Sequence, residues 1–286
     1  MNQTELEDLF QQNLIFVRES KKEYILMSDE QLIYCFYSIK QEHCDKPTIF
    51  FIQGLGPGIY SWSDFWDELC KEYNLVVIDS REKPTVNLEK NKACSVRRIS
   101  LDIVEVINYL QIKEENVILF GTSLGTFYVA HCVGQGWIHP RGCFIVGPSI
   151  DLTYPEIAFK LAFILPDFLF EKVGIFLARK YIKNKVLEDY QRKVYLERIM
   201  KINVKRWKKC SKIRKWNPSD DYKNINCPVF IFSTDADKYH TMEEAEKVNN
   251  HIKNCHLVNV PDYKYMRSKP RVREFIRMID DLIKKI

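Results

Sequence analysis

The sequence predicts an α/β protein built on a mostly parallel sheet with helices on both faces, and three observations carry that expectation. Short apolar runs rich in β-branched and aromatic residues alternate with stretches whose apolar residues recur at helical spacing. The runs lack in–out alternation, as strands buried on both faces require. Between one strand-like run, Asn116–Phe120, and one helix-like run stands Gly121-Thr122-Ser123-Leu124-Gly125, a serine flanked two residues away on each side by glycine.

The elements follow in order. Glu23–Met27 and Leu32–Ser38 read as an opening strand pair around the turn Ser28-Asp29-Glu30. Thr48–Gln53 is a fully apolar third strand except for its last residue, followed by Gly54-Leu55-Gly56-Pro57-Gly58. Ser61–Tyr73 carries Trp62, Phe65, Trp66 and Leu69 at helical spacing, and Leu75–Ile78 is the next strand, ending at Asp79. Ser95–Leu110 is an amphipathic helix with Ile99, Ile103, Val106 and Leu110 on one side. The strand 116–120, the glycine-flanked serine and a packed helix come next, then the strand Cys143–Val146. Residues from about 152 to 222 interrupt the alternation with helical character and no strand. Val229–Phe232 resumes it, Thr241-Met242-Glu243-Glu244 is a capping box opening a helix, His256–Val260 is the last strand, and a closing helix follows Pro270.

Composition narrows the function classes. The chain of 286 residues is 46% hydrophobic, enough for one large core with an inserted subdomain. The N-terminal MNQTELEDLF is acidic and polar and lacks the pattern of a secretory signal. Nine cysteines form no CxxC pair and sit mostly in apolar runs, so reduced, buried thiols, a cytoplasmic location and the absence of a metal site are expected. Nothing points to a cofactor. Net charge is +5, but fifteen Lys/Arg against three Asp/Glu crowd into residues 179–215, leaving the remainder net negative. No recognition motif accompanies that basic stretch, so nucleic acid is not expected as a partner.

A serine between glycines on a strand-to-helix turn is exposed at the apex of a bend too sharp for side chains on either flank. Together with TIFFIQGLGPG, LVVID, PVFIFSTDAD and the final strand–helix pair, GTSLG makes the chain from about residue 23 onward resemble the α/β-hydrolase family. The resemblance implies a single domain over residues 1–286 with a helical cap inserted at about 152–222. It also implies a nucleophile at Ser123, oxyanion donors at the Leu55 and Leu124 N–H groups, and an acid at Asp237, nine residues after Pro228. Where the family has His-Gly after the third strand, this chain has Gln53-Gly54.

The base that the resemblance calls for is missing from its usual place. The family's histidine follows the last strand, where this chain reads Val260-Pro261-Asp262-Tyr263-Lys264-Tyr265-Met266, so Tyr265 or Tyr263 stands at that position. A tyrosine with a pKa near ~10 is a poor general base at neutral pH. Of the six histidines, His240, three residues past Asp237, lies on the rim of the expected site, either as a relocated base or as a solvated helix-entry residue. Asp79-Ser80-Arg81-Glu82-Lys83-Pro84 also departs from the family's Asp-x-Arg-Gly-x-Gly by lacking both glycines. Two functions are therefore expected as alternatives: a serine-hydrolase-like enzyme acting on an ester, thioester or amide of a small apolar molecule, or a ligand-binding homologue without the triad histidine. The Phe/Leu/Ile-rich and Lys/Arg-rich halves of the insertion suit an acyl-type ligand on one side and an anionic membrane surface on the other.

Overall fold

The structure, a computed structural model, describes residues 14–55, 62–83, 86–150, 163–200, 203–210, 213 and 215–286. The glycines expected at 56 and 58, Pro84, and the first part of the apolar insertion at 157–162 lie outside those residues.

Eight strands form one sheet: β1 (Lys21–Leu26), β2 (Leu32–Ser38), β3 (Thr48–Ile52), β4 (Asn74–Ile78), β5 (Val117–Thr122), β6 (Gly142–Val146), β7 (Val229–Ser233) and β8 (Cys255–Asn259). Their spatial order is β1-β2-β4-β3-β5-β6-β7-β8. β1 pairs antiparallel with β2 through a turn in which Glu30 takes φ 64°, and β2 pairs antiparallel with β4. From β4 to β8 every pairing is parallel, so each connection must cross over and carries a helix or long loop.

The helices are α1 (Ile15–Glu19), α2 (Ser63–Leu69), α3 (Val96–Tyr109) and α4 (Leu124–Gly134). Between β6 and β7 come α5 (Asp167–Lys185), α6 (Asp189–Met200), α7 (Val204–Lys209) and α8 (Ser219–Lys223), and α9 (Met242–Asn249) and α10 (Val272–Ile283) complete the set. Ser95 caps α3 by accepting from Arg98 N at 3.2 Å, and Thr241 caps α9 by accepting from Glu244 N at 3.3 Å. The short α1 has no periodicity to betray it; buried Phe16 and Val17 hold it down, and Phe16 N donates to Asp67 Oδ1 at 2.9 Å.

Because β3 to β7 are covered on both sides, successive residues feed two different cores. Phe50, Ile52, Val76, Ile78 and Leu119 pack toward α3 and α4. Ile49, Phe51, Val77, Phe120, Phe144 and Phe232 pack toward α2 and α10. The second layer is aromatic: Phe51 stacks on Phe120 at 4.9 Å, and Trp62, Phe65 and Trp66 surround that pair. Each such side chain contributes about 1.5–3 kcal/mol by leaving water.

One expectation is overturned. Cys94 and Cys210 form a disulfide with Cα atoms 5.3 Å apart, joining the segment before α3 to the end of α7. Local spacing could not reveal a bond across 116 residues. Seven other cysteines are free.

The chain after β4, with Glu82 where the resembled pattern has its first glycine, supplies buried charge at Arg81, Glu82 and Lys83. The Arg81 guanidinium is wholly buried, donating through Nε and Nη2 to Asp102 at 2.7 and 2.8 Å and through Nη1 and Nη2 to Asp29 at 2.6 and 2.7 Å. It thereby ties the β1–β2 turn to α3 by two fork-like pairings. The hydrogen bonds from Arg81 hold the Asp29 carboxyl down at a pKa of about 2. A depressed carboxylate stabilises the fold above its unfolded value near ~3.9, and that contribution fades as pH falls through the folded value. Urea unfolding from pH 5 down to pH 2 should therefore show wild-type stability declining more steeply than that of Asp29→Asn, which lacks the titrating group; parallel pH profiles would disprove the coupling.

Candidate active site

The bend between β5 and α4 puts Ser123 at φ 50° and ψ −119°, outside the conformations that non-glycine residues favour. Such strain costs about 1–3 kcal/mol and persists only where neighbours over-determine it. Here Ser123 N donates to Val146 O at 2.8 Å, while Ser123 O accepts from Thr126 N and Thr126 Oγ1 at 2.9 and 2.6 Å. Gly125 is required by close approach: a Cβ there would lie 2.3 Å from the carbonyl oxygen of Ile52. The end of β3 thus presses on the first turn of α4 and sets the bend.

The loop after β3 lies against the serine. A Cβ on Gly54 would be 2.9 Å from Ser123 Cβ and 3.6 Å from Ser123 Oγ. Gly54 N donates to Thr122 Oγ1 at 3.0 Å, and its carbonyl accepts from the Lys83 ammonium. That carbonyl and Leu55 N–H belong to one peptide unit, so a buried cation fixes the orientation of the expected oxyanion donor and polarises it. Lys83 is 1% exposed and pairs at 3.2 Å with Glu82, whose same oxygen accepts from Ser80 Oγ at 2.6 Å. Leu124, the other expected donor, is the first residue of α4, where N–H groups have no partner within the helix. Gln53 is buried, and its side-chain amide makes no hydrogen bond among the described residues.

A cavity of about 20 Å³ opens beside the serine, lined by Ser123, Asp237, His240 and Tyr263 together with Tyr195 of α6 and Arg267. That is room for about one water molecule. Asp237 Oδ1 accepts from the backbone N–H groups of Tyr239 and His240 at 2.8 and 2.9 Å, so the carboxylate caps its own turn. The His240 ring packs against Gly147 at the end of β6, where an added Cβ would be 2.9 Å from it. The His240 imidazole thus lines the same cavity as Ser123 and Asp237. Asp235, two residues earlier, accepts from Asn259 Nδ2 at 3.0 Å on the surface.

The two tyrosines separate. Tyr265 does not line the cavity; it joins the aromatic core layer, 6.0 Å from Phe275 and beneath Arg271, and burial raises its pKa. Tyr263 does line it, 2% exposed, with a hydroxyl that has no hydrogen-bond partner among the described residues. Its ring is covered by the Arg267 guanidinium at 3.6 Å, which also lies 3.8 Å from the Trp62 ring. Tyr195 meets Tyr263 edge-on at 5.7 Å, and Glu188, just before α6, accepts from the N–H groups of Tyr263 and Lys264 at 2.9 and 3.0 Å. The inserted helices are thereby pinned to the loop after β8. Lys83, Tyr195 and Arg267 were invisible to motif reasoning, because only the folded chain brings them to residue 123.

A buried imidazole–carboxylate pair exists elsewhere. His131 Nδ1 lies 3.0 Å from Asp221 Oδ2, which also accepts from Trp216 Nε1 at 3.1 Å; about 12 Å along α4 from Ser123, the pair joins α4 to α8. Among the described residues no group of His, Cys, Asp and Glu is arranged to hold a metal ion.

The sequence matches no protein-family model and no curated protein. Its structure is similar to solved ones. An enol-lactonase from Burkholderia xenovorans LB400 superposes with a TM-score of 0.72 at 13% identity, covering 92% of this chain and 100% of that one. An esterase from Rhodococcus sp. ECU1013 gives 0.73 at 12% identity over 93% and 98% of the chains. A bromoperoxidase from Bacillus anthracis gives 0.68 at 14% over 93% and 100%. Different activities on one scaffold mean that the match identifies architecture and leaves chemistry to the site. The strand order, the strained serine at the end of β5 and these superpositions agree: the chain has the α/β-hydrolase fold.

Proposed function

We propose that this chain is a serine-hydrolase-like protein acting on an ester, thioester or amide of a small apolar molecule. The observation that carries the reading is Ser123 itself: a strained backbone, held by three hydrogen bonds, beside a cavity that also receives His240 and Asp237. In this reading Ser123 Oγ attacks the acyl carbon while its proton passes to the His240 imidazole, which returns it to the leaving group. The oxyanion is received by Leu124 N–H and by Leu55 N–H, the latter strengthened by Lys83 on the far side of the same peptide. Asp237 holds the backbone of His240 by accepting from its N–H. The inserted helices act as a cap, and an acyl group larger than water requires the cavity lining, Tyr195 among it, to move.

One observation favours a second reading, a ligand-binding homologue without turnover. Asp237 Oδ1 is taken up by the backbone N–H groups of its own turn, and Tyr263, from the stretch where the resembled family has its base, lines the cavity with its hydroxyl buried.

A fluorophosphonate probe separates the two. It should label the wild type and spare Ser123→Ala; absence of labelling beside a reactive control esterase, with ligand binding that survives Ser123→Ala, would establish the second reading. Lys83→Met should lower the labelling rate about 10- to 100-fold, as expected for losing a charge-assisted hydrogen bond, while thermal melting verifies that the variant is folded. Tyr195→Ala should speed labelling by bulky probes several-fold relative to small ones; an unchanged ratio would mean that Tyr195 does not limit entry.

A further inference from the structure

The helix α5 presents a surface that the candidate site does not use. Of its 19 residues only Ile182 is buried. At 100° per residue, Asp167, Phe170, Glu171, Ala178 and Ile182 fall on one side. That side meets the protein: Asp167 Oδ1 accepts from Lys208 Nζ at 2.6 Å, the Lys208 ammonium lies 5.7 Å from the Phe170 ring, and Ile182 packs with Val186, Val194, Tyr195 and Tyr263.

The opposite side has a different composition. Leu169, Val173, Phe176 and Lys180 follow one another at i, i+4, i+7 and i+11. Phe168, Lys172, Arg179 and Lys183 run along one flank and Leu177 along the other. Phe168 and Phe176 are 68% and 67% exposed, and Ile164 just before the helix is 76% exposed. Every charged residue in this sector is cationic; the two carboxylates of the helix both fall on the inner side. The cations of this sector are solvated by water, whereas its exposed Phe168, Phe176 and Leu177 would gain from an apolar partner.

We propose that this face of α5 docks onto an anionic lipid bilayer, with Phe168, Leu169, Val173, Phe176 and Leu177 entering the interfacial region. Lys172, Arg179, Lys180 and Lys183 would lay their aliphatic stems along that layer and bring their charges to the headgroups. Charge complementarity selects this occupant. A second copy would bring the same four cations to a shared interface with no carboxylate between them, and nucleic acid offers nothing to the apolar side chains. The helix lies on the surface rather than crossing it, because no helix among the described residues is long and apolar enough to span a membrane. The inference is independent of any role for Ser123, although a membrane at α5 would set the inserted helices and Tyr195 next to a source of acyl chains.

Co-sedimentation of the full chain with vesicles tests the proposal. Zwitterionic phosphatidylcholine vesicles are compared with vesicles containing about 30 mol% phosphatidylglycerol, at low salt and at about 0.5 M salt. Binding to the anionic vesicles should be at least tenfold stronger and should weaken at high salt. It should be lost in Phe168→Asp/Phe176→Asp and reduced in Lys180→Glu/Lys183→Glu, and retained in Leu26→Asp, an equally exposed apolar position on β1. Failure to bind anionic vesicles, equal loss in Leu26→Asp, or self-association abolished by Phe168→Asp/Phe176→Asp without vesicle binding would each overturn it.

Discussion

The contact between the end of β3 and the first turn of α4 is the constraint on which the rest depends. With the Ile52 carbonyl where a Cβ of residue 125 would stand, α4 can start only directly against the sheet, and the chain leaving β5 must turn within one residue. Ser123 absorbs that turn in its own backbone and is fastened by Val146 and Thr126. The parallel pairing of β3, β5 and β6 fixes all three partners at the same end of the sheet, so the serine, Gly54 and Gly147 converge without any contribution from the inserted helices. The site is a by-product of strand register.

This explains which parts were legible in the sequence. Residues buried on both faces of a parallel sheet have to be apolar throughout, so TIFFI, LVVI and VFIF announced strands, and the amphipathic pattern of α3 announced a helix. The glycines around Ser123 recorded the close approach directly. Geometry that depends on distant pairing left no such record. Tyr263 and Tyr265 differ by two positions in one loop, and spacing could not say which turns toward the cavity and which into the Phe275 layer. The five-residue α1, the Cys94–Cys210 bond and the convergence of Lys83 on Gly54 belong to the same class, since each is decided by tertiary packing rather than by local pattern.

Buried charge takes over work that small residues do in the related pattern. Glu82 stands at the first glycine position of that pattern, and with the neighbouring Arg81 and Lys83 it fills the space with side chains whose charges are matched by Asp29, Asp102 and each other. Pairs of this kind add little net stability when intact but are costly to break one partner at a time, which makes them effective at specifying a single arrangement. Arg206 of α7 joins the same cluster by donating to the carbonyls of Arg81 and Val86 at 3.0 and 2.6 Å. A continuous polar path therefore runs from the inserted helices through the loop after β4 to the peptide beside the serine.

The sulfur bridge at Cys94 gives that path a covalent parallel. It anchors α7 to the body of the protein a few residues from where Arg206 reaches the same loop. The end of α7 is thus tethered by a link that thiols can undo. In a reducing milieu α7 would keep its hydrogen bonds to the carbonyls of Arg81 and Val86 but lose its covalent tie, so the electron balance of the surroundings becomes a variable in how firmly α7 is held.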